Sequence, residues 1–317
     1  MEGKGSETII SEIKNLKKKK NAIILAHYYQ TGDIQDIADF VGDSLALSQK
    51  AAANNADIIL FAGVKFMAET AKILAPDKKV LLPDMNAGCS LSDSCKAVDF
   101  EKFILDNPGR TVVTYVNTSA EVKALSDIIC TSSNAVQIVE SLQADEKIIF
   151  APDRNLGNYV LNKTGRDILI WNGTCHVHEE FSLEAILKLK DENPEAKIIV
   201  HPECELPVRL VADFIGSTSS LLQFTKNDKG NCYIVGTEPG IIHQMKKENP
   251  GKTYIPAPPR DSTCGCSECG FMKLITLEKI VNCLKYEKPE ITLDMDVLTK
   301  AQKPIKRMME ISEKLGL

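Results

Sequence analysis

The sequence predicts an α/β protein of three pseudo-threefold-related domains, each a three-layer αβα unit with a short four-stranded parallel sheet. Three observations predict it. A motif recurs three times, with periods of 88 and 86 residues. The apolar runs within each copy are short, rich in Ile and Val, and continuous rather than alternating, which is the pattern of parallel strands covered on both faces. Each copy also carries cysteine just after its fourth apolar run: Cys89, Cys175 and, in the third copy, the cluster Cys264, Cys266 and Cys269.

The elements follow in order. A short helix starting near Ser6 and ending in the solvated run Lys17–Lys20 precedes the first copy. The first strands are AIILA (22–26), TVVT (111–114) and KIIV (197–200), leading into His27-Tyr28-Tyr29, Tyr115-Val116-Asn117 and His201-Pro202-Glu203. Twelve residues after the first member of each triplet stands an Asp (Asp39, Asp127, Asp213), opening the second strands DFVG, DIIC and DFIG. A hydroxyl follows five positions on: Ser44, Ser132 and Thr218. The third strands are IILFAG, KIIFAP and CYIVG; the fourth are KVLLPD, DILIWNG and KTYIPA. Helical stretches lie between them at 44–53, 66–74, 134–142, 183–190 and 240–248, and Pro and Gly mark joints such as Asn107-Pro108-Gly109 and Asn249-Pro250-Gly251. Strand–helix alternation implies right-handed crossovers and open, doubly wound sheets. The equal offsets argue against one large sheet with chance likenesses. The expected units are 1–106 with the N-terminal helix, 107–192, 193–285, and a helical tail, 286–317, packing back on the body.

Composition narrows the function. A chain of 317 residues holds more than one small core. Its 38 basic and 43 acidic residues, with 6% aromatics, give no footprint for nucleic acid. The N-terminus lacks a secretory pattern, and the longest strongly apolar run, Ile58–Val64, is too short to span a bilayer. The expectation is a soluble cytoplasmic protein with no membrane partner. Ten cysteines in such a chain point to metal binding or catalysis rather than a disulfide framework. Cys95, Cys130, Cys204, Cys232 and Cys283 read as small packing residues.

Parallel α/β units bind ligands at the carboxyl ends of their strands, where the repeated polar residues fall. His27 and Tyr29 are two apart and point to one side of an extended strand end, as do Tyr115 and Asn117, and His201 and Glu203. Ser44, Ser132 and Thr218 follow a second strand and open a helix. Such hydroxyls commonly serve as N-caps, yet a hydroxyl at a helix N-terminus also suits an anion. Its threefold recurrence beside a polar pair favours a shared anion-binding cavity. One cysteine per repeat can bring three thiolates, such as Cys89, Cys175 and Cys269, round one axis. Soft donors of this kind suit zinc or an iron–sulfur cluster, and spacing alone does not separate the two. His176 and His178 stand beside Cys175 as further donors, although a histidine is more often a hydrogen-bonding residue. Cys266 and Cys269 form a CxxC pair able to cycle between dithiol and disulfide.

The residues together resemble the quinolinate synthase family over most of the chain: AHYYQ (26–30), GDSLALS (42–48), GVKFMAET (63–70), PDMNAGCSLSDSC (83–95), TYVNTSAEVKALSDIICTSSNA (114–135), FAPDRNLG (150–157), WNGTCHVHE (171–179), HPEC (201–204) and CxxCGFM (266–272). The family often has Pro after its last cluster cysteine; this chain has Gly270. The resemblance implies three domains around a central cavity and a 4Fe–4S cluster on Cys89, Cys175 and Cys269 with one open iron. It implies condensation of iminoaspartate with dihydroxyacetone phosphate to quinolinate for NAD synthesis, and a functional link to an iminoaspartate-producing enzyme. It places His27, Tyr29, Ser44, Tyr115, Asn117, Ser132, His201, Glu203 and Thr218 in the active site. Tyr29 and Glu203 are expected to face each other as acid and base, Glu203 tuned by burial towards neutral pH, flanked by His27 and His201. Two other readings are a different iron–sulfur hydro-lyase acting on a small carboxylic acid, and a non-enzymatic metal or redox sensor built on Cys264, Cys266 and Cys269.

Overall fold

A computed structural model describes residues 3–261 and 267–317. The first unit runs α1 (Gly3–Lys19), β1 (Ala22–His27), α2 (Gly32–Ile37), β2 (Phe40–Gly42), α3 (Ser44–Ala52), β3 (Ile58–Ala62), α4 (Lys65–Leu74), β4 (Lys79–Leu81), α5 (Ser90–Asp93) and α6 (Ala97–Leu105). The second runs β5 (Thr111–Tyr115), α7 (Ala120–Ala124), β6 (Ile128–Cys130), α8 (Ala135–Glu140), β7 (Ile148–Ala151), α9 (Arg154–Thr164), β8 (Ile168–Ile170), α10 (His176–Glu179) and α11 (Leu183–Glu192). The third runs β9 (Lys197–Val200), α12 (Leu206–Leu210), β10 (Phe214–Ile215), α13 (Thr218–Asn227), β11 (Cys232–Gly236), α14 (Ile241–Glu248), β12 (Thr253–Pro256), α15 (Gly270–Lys273) and α16 (Leu277–Tyr286), followed by α17 (Met295–Lys314).

Each unit holds one four-stranded sheet, with the orders β2-β1-β3-β4, β6-β5-β7-β8 and β10-β9-β11-β12. All of these pairings are parallel, and the orders are the same once the repeats are aligned. The repeated Asp has a structural cause. Asp39 Oδ2 accepts the Ile24 N–H at 2.7 Å, Asp127 Oδ2 the Val112 N–H at 2.8 Å, and Asp213 Oδ2 the Ile198 N–H at 2.8 Å. The backbone N–H of each Asp returns a bond to the carbonyl of that same strand residue. Each Asp therefore sets the register of the edge strand against the first strand. The fixed twelve-residue offset is the length of the crossover that this pairing closes.

The cores sit against these sheets. The largest joins the first and second units with α16 and α17, filling both with residues such as Ile24, Leu60, Val113, Ile129 and Ile305. The third sheet has a separate cluster on each face, around Ile198 and Ile234 and around Ile199 and Tyr233. Cys95, Cys130, Cys204, Cys232 and Cys283 are all buried, so these thiols pack as the sequence predicts. Helix α17 packs on α7, β6 and α4. The N-terminal helix begins at Gly3, three residues before Ser6. Gly109 takes φ of +76° in the Asn107-Pro108-Gly109 joint, a left-handed conformation that suits glycine. Among the described residues no helix is long and apolar enough to cross a membrane.

Candidate active site

Parallel order puts all strand C-termini of a unit at one edge, and the three edges converge on one cavity. It is lined by His27, Tyr29 and Ser44 from the first unit, Tyr115, Asn117 and Ser132 from the second, and His201, Glu203 and Thr218 from the third, together with Cys89, Cys175 and Cys269. The structure thus brings together every residue singled out as a site candidate except Cys264 and Cys266, which lie outside the described residues. Of the proposed Cys266–Cys269 dithiol pair, only Cys269 is among the described residues.

The histidines are held alike. His27 ends β1, and its Nδ1 accepts the Tyr29 N–H at 3.2 Å; His201 Nδ1 accepts the Glu203 N–H at 3.3 Å. With Nδ1 an acceptor, the proton of each neutral ring is on Nε2, leaving a donor free for a ligand. Burial drives His27 down to about 4, against smaller opposing effects of Asp43 and Glu203. Burial likewise takes His201 to about 3, although Glu203 pulls the other way. Both rings are neutral at neutral pH.

A chain of close polar contacts crosses the cavity between units. Tyr29 Oη lies 2.7 Å from Thr237 Oγ1, and Thr237 Oγ1 lies 2.9 Å from His178 Nε2. His178 Nδ1 is 3.2 Å from Glu203 Oε2, and Glu203 Oε1 accepts the Tyr115 hydroxyl at 2.6 Å. Thr237 and His178 thus stand in the contact path between the Tyr29 hydroxyl and the Glu203 carboxylate. Burial pushes the Glu203 carboxyl up, but His178, His201 and the Tyr115 hydroxyl outweigh it and bring it to about 2. The expected tuning of Glu203 towards neutrality by burial is thus reversed by its partners. Burial, reinforced by Glu203, raises Tyr29 and Tyr115 well above the usual tyrosine value, so both stay protonated donors.

The hydroxyls are not the helix caps. Asp43 caps α3 by accepting the Ala46 N–H at 3.0 Å, and Ser217 caps α13 by accepting the Ser220 N–H at 3.2 Å. Ser44 and Thr218 occupy the first helical position and line the cavity. In the second unit the helix starts later, at Ala135, because Asn134 Oδ1 folds back onto the Thr131 N–H at 2.6 Å. Ser132 lies in that turn. Asp43 also accepts the Ser133 hydroxyl at 2.6 Å, tying the first unit to the second.

Cys89, Cys175 and Cys269 each occupy the residue preceding a four-residue helix (α5, α10 and α15) in an extended conformation, with the side chain not used as a cap. Nearby backbone N–H groups of the following turn favour the ionised form of each thiol: those of Ser92 and Leu91 for Cys89, His178 for Cys175, and Met272 and Phe271 for Cys269. Burial raises all three thiols, Cys89 to about 12, and mutual repulsion adds to this for Cys89 and Cys175. Three sulfurs close enough to repel, each near backbone donors, fit a soft cationic centre that would keep them deprotonated. The turns are braced: Ser90 Oγ lies 2.8 Å from His176 Nδ1, and the His176 ring meets Phe271 edge-on at 6.2 Å.

Sequence reasoning missed Thr237, Glu238 and Asp43 and set His178 aside. Thr237 and Glu238 directly follow β11, so the strand-end rule could have found them. The fully buried Glu238 carboxylate binds Lys273 Nζ at 2.8 Å, and Lys273 Nζ donates to the Tyr29 carbonyl at 2.9 Å. Glu238 also takes the Gly240 N–H at 2.7 Å, and a Cβ on Gly240 would lie 2.8 Å from the Tyr29 backbone. Only glycine permits that approach.

The sequence model of the family described as quinolinate synthetase A protein matches residues 11–310. The chain is 58% identical over 304 residues to the quinolinate synthase of Thermosynechococcus vestitus, covering 96% of this chain and 95% of that protein. It is 58% identical over 306 residues to that of Microcystis aeruginosa, covering 96% of each. Against the Synechocystis sp. quinolinate synthase it is 57% identical over 304 residues, covering 96% of this chain and 95% of that protein. With its three equivalent cysteines and polar strand ends on one cavity, the chain belongs to the quinolinate synthetase A family.

Proposed function

We propose that this chain is an enzyme of NAD biosynthesis that condenses iminoaspartate with dihydroxyacetone phosphate to quinolinate, releasing phosphate and water. The observation that carries this reading is the convergence of three cysteines and nine polar side chains, drawn equally from three repeats, on one cavity of a chain belonging to this family. Cys89, Cys175 and Cys269 would hold a 4Fe–4S cluster. Such a cluster, with three protein ligands, supplies an open iron as a Lewis acid.

The chain's own residues supply the rest. Ser44 and Thr218, at the first position of their helices, donate to phosphate or carboxylate oxygens, joined by Ser132 and by the Asn117 amide. The Nε2–H groups of neutral His27 and His201 orient a bound acid without adding charge. Tyr29 and Tyr115 hold protons to donate as hydroxyl groups leave. Glu203, ionised and linked to Tyr29 through His178 and Thr237, accepts protons during isomerisation. Ten cysteines read as packing and metal-binding thiols suit a cytoplasmic enzyme that works beside a source of iminoaspartate.

The test is anaerobic reconstitution, with iron, sulfide and visible absorbance measured, followed by assay of quinolinate and phosphate from both substrates. Stoichiometric quinolinate and phosphate are expected. Cys89→Ser, Cys175→Ser and Cys269→Ser should each lose cluster and activity together. Turnover of a hydroxy acid without phosphate release would point to a hydro-lyase instead, and a full cluster in Cys269→Ser would move that ligand to Cys264 or Cys266.

A further inference from the structure

One of the three thiolates also belongs to a second, mixed cluster of donors. Sγ of Cys175, a ring nitrogen of His178 and a carboxylate oxygen of Glu203 lie within 4.8 Å of one another. His178 and Glu203 are each 2% exposed. Local sequence brings the first two together, because Cys175 precedes α10 and His178 lies three residues on, over the same face. Glu203 arrives from the end of β9 in the third unit.

Each donor has its remaining polar atom already engaged. His178 Nε2 pairs with Thr237 Oγ1 at 2.9 Å, which leaves Nδ1 as the ring nitrogen turned towards Glu203. Glu203 Oε1 is occupied by the Tyr115 hydroxyl at 2.6 Å. What remain are Nδ1, which has no hydrogen-bond partner although buried, and Oε2, 3.2 Å away. A buried ring nitrogen with no hydrogen-bond partner and a carboxylate oxygen 3.2 Å from it are two donors that one bound cation would satisfy together.

We infer that the chain, when it carries no cluster, binds one zinc-class divalent ion on Cys175 Sγ, His178 Nδ1 and Glu203 Oε2. A sulfur, nitrogen and oxygen set is what zinc accepts, and three protein ligands leave its fourth position open to the cavity. Thr237 and Tyr115 are the outer partners that orient a ligating imidazole and carboxylate. Binding transfers the Cys175 thiol proton to solvent, with no change of oxidation state. The ion takes the one cysteine that a three-thiolate cluster also needs, so the two occupants exclude each other. Zinc would hold the chain in a state that cannot load a cluster. The inference shares Cys175 with the proposed cluster set but requires neither Cys89 nor Cys269.

The test uses the full-length chain, anaerobically stripped of iron, with Cys264→Ser and Cys266→Ser introduced so that those thiols do not compete. It is titrated with Zn²⁺ and with Co²⁺ as a spectroscopic probe. One equivalent should bind, Co²⁺ giving a sulfur-to-metal band in the near ultraviolet and visible bands of a four-coordinate ion. Cys89→Ser and Cys269→Ser should bind as the parent does. His178→Asn and Glu203→Gln should lose about 100-fold in affinity or more, and Thr237→Val about 10-fold. Zinc-loaded parent should fail to take up a cluster until zinc is chelated. The inference is overturned if no ion binds, if Cys89→Ser or Cys269→Ser abolishes binding, or if His178→Asn or Thr237→Val binds as tightly as the parent. A cluster that forms in Cys89→Ser would instead sink the cluster assignment and leave the zinc site standing.

Discussion

Glu203 and Tyr29 sit at equivalent strand ends of the third and first units, yet their surroundings drive them to opposite protonation states. The Tyr115 hydroxyl and two histidine rings keep Glu203 an anion, while burial keeps Tyr29 a phenol. Glu203→Gln and Tyr29→Phe remove only the ionisable group from each. Both variants should fold and hold iron with turnover reduced about 10²–10⁴-fold, the usual worth of one acid or base; a normal rate of quinolinate formation in either would remove that residue from the proton chain. The buried histidines have a second consequence. His27 at about 4 and His201 at about 3 lie below the unfolded value of about 6.5. Between those values the unfolded chain binds more protons, so stability falls as pH drops from about 6.5 and the effect vanishes above it. Each group contributes a slope of about 1.4 kcal/mol per pH unit in that window. Urea unfolding of the parent and of His27→Asn at several pH values between 4.5 and 7 should show a shallower slope in the variant; equal slopes would mean that His27 is not buried as a neutral ring.

At the scale of elements, the same device is used three times. Asp39, Asp127 and Asp213 each hold the N–H of a first-strand residue and so fix where the edge strand lies. That register sets where the following hydroxyl emerges at the cavity. Replacing one Asp with Ala should cost about 1 kcal/mol, since the bond is to a partly exposed carboxylate. The three sites are in different sheets, so the triple variant should lose about 3 kcal/mol in chemical denaturation, the sum of the singles. A cost concentrated in one repeat would show that the three are not equivalent. The caps follow the same logic: Asp43 and Ser217 satisfy the helix ends and leave Ser44 and Thr218 for the cavity.

Across the whole molecule, the site is made at the seams. Asp43 meets Ser133 between the first and second units, Tyr29 meets Thr237 between the first and third, and Tyr115 meets Glu203 between the second and third. Helix α17 acts on this assembly from outside. Its buried Ser312 Oγ accepts the Asn134 Nδ2–H at 2.9 Å, and Asn134 in turn shapes the turn that carries Ser132. Ser312→Ala should leave the Asn134 amide unsatisfied, lowering stability by about 1–3 kcal/mol. It should also raise KM for dihydroxyacetone phosphate more than it lowers kcat, because Ser132 loses its fixed position. A pure loss of stability with unchanged KM would confine α17 to a structural role.

The sequence by itself determined the three repeats, the parallel strands within each and the polar strand ends and cysteines that line the cavity, while the order of the strands came from the structure. The former follow from periodicity, from equal offsets and from the rule that parallel strands present their ends to ligands. His27, Glu203 and the three cysteines were legible because each recurs at a fixed place in its repeat. Thr237 could have been found from its strand end, but the contacts that give Thr237, Asp43 and His178 their roles could not. Their importance comes from neighbours in other units, such as Ser133, Tyr29 and Glu203. The protonation of Glu203 was decided in the same way. Burial alone would have raised its carboxyl, and only the packing of His178, His201 and Tyr115 from separate strand ends reversed the sign. A sequence specifies what each strand end offers, whereas the sum of fields at a seam exists only once three sheets have met.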